Sequence, residues 1–242
     1  MVKRKFAIKI TAIMDIILLL VVLPLLANCG PAEKVPPPTK PTPVTLAAKE
    51  AALLVIDTEN DMLDEKGAFA VMKTWKYAEE HDTVKNIAKA IDLAEKQGIP
   101  VIRILLHFRA GWPECPDRGM GGLCKKAKSF VEGTWGTEIT PGLEIKEGQL
   151  IVVKTRLSAF YNTNLETLLR GLGVTTLLIS GVSSVGCVNS TIYGAVDRDY
   201  NIIALSDCVA GPPEATEYLL EHIWPPSFAK VMTASEAFAS LK

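Results

Sequence analysis

The sequence predicts an α/β fold, a three-layer α-β-α sandwich around a mostly parallel central sheet. Two observations carry this. From residue 47 onward, apolar runs of strand length alternate with helix-spaced patterns, which is the signature of strands joined by crossover helices. The first run, Ala51-Ala52-Leu53-Leu54-Val55-Ile56, is continuously apolar, as expected of a strand covered on both faces.

The elements follow in order. The first strand ends at Asp57. Residues 83–97 carry Val84, Ile87, Ala88, Ile91 and Ala94 at helical spacing, and Gly98 and Pro100 stop the helix. Residues 101–106 form the second strand, closed by His107, and residues 150–153 the third, ending at Lys154. Leu165, Leu168, Leu169 and Leu172 share one face of a helix over 164–172. A fourth strand spans 175–180, and a helix over 187–197 opens at Cys187. A fifth strand (202–205), a helix (214–222) and a short strand (230–233) complete the domain. The segment 108–141 breaks the rhythm. It is rich in glycine and holds Trp112 and Trp135, so it reads as a functional loop or lid.

The chain has 242 residues, 48% hydrophobic and 22% charged, which suits one sizeable domain with an appendage. The net charge of −1 lacks the basic excess of a nucleic-acid binder. The appendage is N-terminal. Lys3, Arg4 and Lys5 precede an apolar run over 16–26, short of the roughly 20 residues of a membrane span but sufficient for a secretory h-region. Leu26-Ala27-Asn28-Cys29 is similar to the lipobox of exported lipoproteins, with Asn28 where such boxes carry a smaller residue. The expectation is export with Cys29 lipidated; a cleaved signal peptide and a signal anchor are the alternatives. Residues 30–46 hold Pro31, Pro36, Pro37, Pro38, Pro41 and Pro43, which makes a stiff extended tether. The chain thus divides into a signal segment (1–29), a linker (30–46) and a folded domain (47–242).

Ligands of open α/β sheets bind beyond the carboxyl ends of the strands. Asp57, Lys154 and Cys187 are expected there. An ammonium and a helix N-terminus both favour a thiolate, and a carboxylate can take the thiol proton and later activate water. These residue types suit covalent amide hydrolysis. Each also has a plain structural alternative: a helix-capping Asp, a solvated Lys, a buried small Cys.

Four blocks change the balance: ALLVIDTENDM (52–62), GTWGTEI (133–139), IVVKTRLSAFYNTNLETLL (151–169) and LLISGVSSVGCVNSTIYGAVDRDYNIIALSDC (177–208). In this order they resemble the isochorismatase-like cysteine hydrolase superfamily, a Rossmann-like fold whose members include nicotinamidases and N-carbamoylsarcosine, ureidoacrylate and biuret hydrolases. The resemblance implies Asp57, Lys154 and Cys187 as catalytic, a non-proline cis peptide at Val182-Ser183, and an oxyanion hole from the N–H groups of Ser183 and Cys187. It implies a small amide or ureido substrate, because vinyl-ether-cleaving members commonly lack the Cys. It also implies homo-oligomers. The alternatives are a nicotinamidase-type amidase and a binding protein of the same fold without turnover.

Two residues depart from the family pattern: Glu59 stands where Gln is usual, and Met62 where Phe is usual. Nicotinamidases bind a metal through an Asp-x-His pair, but Leu105 stands two residues before His107, so no metal and no cofactor is expected. His107 and Glu59 are candidates to line the pocket, His107 with an equal structural alternative. Arg156 is a candidate for a substrate carboxylate or for a surface salt bridge. Trp112, Trp135 and Phe160 are candidates for the pocket wall, with core packing as the alternative for the tryptophans. In an exported protein Cys115 and Cys124 are a candidate disulfide stapling the lid, with free thiols as the alternative, and Cys208 is expected to be buried and inert.

Overall fold

The computed structural model describes residues 47–241. The predicted leader, Cys29 and the proline-rich linker lie outside the described residues. Six strands form one sheet: β1 (Ala51–Ile56), β2 (Val101–Leu106), β3 (Leu150–Lys154), β4 (Thr176–Val182), β5 (Asn201–Ala210) and β6 (Lys230–Met232). Every pairing between them is parallel, where the sequence led us to expect a mostly parallel sheet. The spatial order is β3-β2-β1-β4-β5-β6. The chain winds outward from β1 to β3, crosses back, and winds the other way from β4. The crevice where direction reverses lies between the carboxyl ends of β1 and β4, and that is where such sheets bind ligands.

The helices are α1 (Asn60–Leu63), α2 (Thr74–Glu80), α3 (Thr83–Lys96), α4 (Gly119–Ala127), α5 (Leu165–Gly171), α6 (Asn189–Val196), α7 (Pro213–Tyr218), α8 (Trp224–Ser227) and α9 (Ala234–Ser240). All six residues of β1 are fully buried because successive side chains serve opposite cores. Ala51, Leu53 and Val55 pack with Ile87, Ile91, Ala94 and Phe238 of α3 and α9. Ala52, Leu54 and Ile56 pack with Leu165, Leu169, Ile192 and Trp224 of α5, α6 and α8. Burying each Ile or Leu stabilises by about 1.5–3 kcal/mol, so the apolar stripe of α3 is enough to fix which face it presents. A third cluster, with Tyr77, Phe108 and Phe130, lies beneath the segment after β2.

Several elements differ from expectation. The fifth strand runs on to Ala210, since Val209 and Ala210 pair with Gly181 and Val182 after a register irregularity. The helix expected to begin at Cys187 begins earlier: a π-type turn over Ser184–Val188 leads into α6. The helix expected over 214–222 passes from α7 through a second π-type turn into α8. Helices α1, α2, α4 and α9 were not expected. Gly181 has φ +110°, and a Cβ there would collide with the Ile56 carbonyl. Glycine therefore lets the ends of β4 and β1 approach each other directly below the crevice.

Candidate active site

Asp57 follows β1 with a left-handed backbone, φ +49°, and its N–H donates to Ile104 O at 2.9 Å. Lys154 closes β3, in register with Leu106. Cys187 lies in the turn after β4. Three separate strands thus deliver these side chains to one point. Lys154 Nζ donates to Asp57 Oδ2 at 2.8 Å, Arg156 O at 3.1 Å and Cys187 Sγ at 3.2 Å, which uses all three ammonium protons. The side chains of Lys154 and Asp57 are 0% and 1% exposed, and Cys187 is buried. Asp57 Oδ1 has no hydrogen-bond partner.

The charge states follow from burial and neighbours. Burial pulls the Lys154 ammonium toward neutrality, but the charges of Asp57 and Cys187 outweigh it, and its pKa rises. Burial and then the Asp57 charge push the Cys187 thiol well up, against the opposing pull of Lys154. Burial and the Asp57 charge thus favour the protonated thiol beside the Lys154–Asp57 pair, against the pull of the ammonium toward a thiolate. Asp57 is also raised by burial, with Lys154 opposing.

The Val182-Ser183 peptide is cis. Ser183 is buried and its hydroxyl has no partner. Glu59 is fully buried; its Oε1 accepts the Leu106 N–H at 2.8 Å and lies 3.8 Å from His107 Nε2. Burial lowers the His107 pKa, so its ring is neutral at neutral pH.

A cavity of about 420 Å³ is walled by Leu106, Phe108, Arg118, Arg156, Tyr161 and Ser190, among others; Asp57, Lys154 and Cys187 do not line it, and Thr155 and Arg156 connect it to Lys154 along the chain. The Arg156 guanidinium donates to Thr155 O at 2.6 Å and Glu114 O at 3.0 Å. The aromatic candidates fall elsewhere. Phe160 is in the core, stacked on Tyr200 with the Arg198 guanidinium 4.8 Å above its ring. This corrects its expected place on the pocket wall: α6 and the sheet cover it. Trp112 donates its indole N–H to Ser129 O at 2.9 Å and packs on the third cluster. Trp135 is largely exposed, and its carbonyl accepts from Asn60 Nδ2. Cys115 and Cys124 are free thiols buried in the third cluster, not bonded to each other. Cys208 is free and fully buried.

Sequence reasoning missed Leu106, Phe108, Arg118, Tyr161 and Ser190 as cavity residues. Their neighbourhood is assembled from β2, α4, the segment after β3 and α6, and only the strand-end position of Leu106 was a signal. It also missed Asp61, whose buried carboxylate accepts from Ala68 N at 3.0 Å and Phe130 N at 2.6 Å and so joins α1 to the segment after β2.

The doubly wound parallel sheet gathers a buried thiol, ammonium and carboxylate beyond the carboxyl ends of its strands. The Isochorismatase domain family matches residues 51–236, and the chain belongs to this family. It is 37% identical over 165 residues to a probable inactive nicotinamidase of Arabidopsis thaliana, covering 67% of this chain and 81% of that protein. It is 29% identical over 212 residues to the ureidoacrylate amidohydrolase RutB of Rhizobium rhizogenes, covering 78% and 84%. Among solved structures it resembles an isochorismatase family protein of Desulfovibrio vulgaris (TM-score 0.67, 30% identity, 78% and 96% covered). A cysteine hydrolase of Pseudomonas syringae shares the fold (TM-score 0.72, 24% identity, 85% and 98% covered).

Proposed function

We propose that this isochorismatase-family hydrolase cleaves a C–N bond of a small amide or ureido compound through a Cys187 thioester. The observation that carries the reading is the buried Lys154 ammonium hydrogen-bonded to both Asp57 and Cys187. On substrate binding, Asp57 takes the thiol proton through its free Oδ1 while Lys154 stabilises the sulfur anion. Sulfur attacks the carbonyl carbon, and the oxyanion is held by the N–H groups of Ser183 and Cys187. The C–N bond breaks, Asp57 returns its proton to nitrogen, and ammonia leaves. Asp57 then deprotonates water, which attacks the thioester; the acid departs and the thiol is restored.

Arg118 and Arg156 support an anionic substrate, since neither pairs with a carboxylate side chain among the described residues and both wall the cavity. The names of the amidohydrolase relatives agree with a carboxylate-bearing ureido or carboxamide compound. The N-terminal features support a periplasmic or cell-surface domain tethered through Cys29. A second reading, a binding protein without turnover, draws on the relative named as inactive.

Ammonia release separates the two readings. Nicotinamide, biuret, N-carbamoyl amino acids, ureidoacrylate and maleamate are assayed with wild type and Cys187→Ala. Release from at least one compound, abolished in the variant, is the expected result. Equal release by both proteins refutes the thioester mechanism, and no release from any compound favours the binding protein.

A further inference from the structure

The Glu59 carboxyl has no part in the sequence of steps above, yet it is fully buried two residues from Asp57. Its Oε1 is occupied by the Leu106 N–H. Its Oε2 has no partner, and neither do Asp57 Oδ1 and His107 Nε2. In a carboxylic acid the carbonyl oxygen accepts and the other oxygen carries the proton. The Leu106 N–H therefore selects Oε1 as the carbonyl oxygen and leaves Oε2 as the hydroxyl.

The charges around Glu59 are Asp57 after β1, Arg103 on β2, His107 after β2 and Lys154 on β3; Asp61 on α1 is turned to Ala68 and Phe130. Lys154 is already engaged by Asp57. Arg103 donates to Thr58 Oγ1 at 3.0 Å and makes no ion pair with Glu59. His107 is neutral, and Glu132 and Glu138 on the facing segment are exposed. The buried Arg103 feels the Glu59 charge but forms no salt bridge with it, so a charged Glu59 would be a second buried carboxylate without a cation in contact, and two such groups do not both ionise readily. Burial and the Asp57 charge hold its carboxyl well above the usual range.

We propose that Glu59 is a positioning residue that carries a proton on Oε2 in the working state and so leaves Asp57 the one anion able to accept the thiol proton. This rests on the hydrolase reading for its purpose but not for its test. Ionisation of Glu59 would place a second negative charge beside the developing sulfur anion and switch the site off from the alkaline side.

Infrared difference spectra of the full chain, wild type minus Glu59→Gln, test this across a pH titration. The expected result is a protonated-acid carbonyl band at neutral pH that fades on the alkaline side. Should the variant not fold, isotope labelling of glutamate carboxyls in the wild type assigns the band. In kcat/KM against pH, Glu59→Gln is expected to move the alkaline limb up by about one pH unit or more. Absence of the band at neutral pH, or superimposable alkaline limbs, overturns the proposal. The band needs no turnover, so it decides the state of Glu59 even if Cys187→Ala shows the hydrolase reading to be wrong.

Discussion

Replacing Lys154 by Met deletes the ammonium and keeps most of the stem. Three hydrogen bonds go with it, to Asp57, Arg156 and Cys187. Asp57 is then an unpaired carboxylate with almost no solvent contact. Breaking a buried pair from one side costs about 3–5 kcal/mol, much of it for the charge left behind. Asp57→Asn leaves the ammonium unpaired and is expected to cost a similar amount. In the double variant neither charge remains, so it should be less destabilised than the sum of the singles by about 2–3 kcal/mol. The sign with pH is fixed. The folded pKa of Lys154 lies above its ordinary value of 10.5, so its contribution is fully present below 10.5 and is lost only as pH rises through the folded value. At neutral pH the ammonium is therefore fully charged throughout the cycle. Urea unfolding of the full chain, compared at constant slope, measures it. Additivity within about 0.5 kcal/mol would refute the paired-charge account. Each single variant is also expected to lower kcat/KM by about 10²–10⁴.

Four further outcomes are expected. The Glu59 pKa is raised on folding above 4.5, so the native state holds more protons, and wild-type stability should fall as pH rises above that value toward the folded pKa; Glu59→Gln should flatten this slope, and parallel slopes would contradict the burial argument. Phe160→Ala should cost about 3–5 kcal/mol in urea unfolding and leave KM unchanged, as its core position requires; a KM effect without instability would return it to the pocket. Arg156→Met should raise KM for carboxylate-bearing amides about tenfold or more and leave neutral amides unaffected, which competition assays with matched pairs can read. Peroxide should oxidise Cys187 more slowly than free cysteine at neutral pH, measured by mass spectrometry of the intact chain; a faster rate would indicate a resting thiolate.

Strand β1 was legible because burial on both faces forces an uninterrupted apolar run; β2 kept the signal despite the buried Arg103, and β3 kept it although Ile151 and Val153 are half-exposed at the sheet edge. The strand-end positions of Asp57 and Lys154 followed from the same runs. Helix α4 was not legible: Gly119, Gly121 and Gly122 argue against a helix, and tertiary packing of Cys124 against the third cluster overrides them. The extension of β5 was hidden because Ser206 and Asp207 interrupt the apolar pattern, yet pairing resumes beyond them. Helix α9 was legible in principle, since Thr233 and Glu236 form a capping box. Phe160 was misplaced by its nearness in sequence to Lys154; the chain turns at Ser158 and sends it into the core.

A protonated thiol reconciles two features that pull against each other. The proposed export would expose thiols to oxidants, which attack the thiolate form. A resting thiolate at Cys187 would be vulnerable there. Burial and the Asp57 charge push the thiol pKa up and so favour the protonated sulfur, while Lys154, bonded to both groups, holds in place the cation that a sulfur anion needs. In the proposed mechanism the nucleophile forms when a bound carbonyl can take the developing charge, and the thiol proton passes to Asp57. The distances of 2.8 and 3.2 Å around one ammonium put a single cation in contact with both the carboxylate and the sulfur of the proposed transfer.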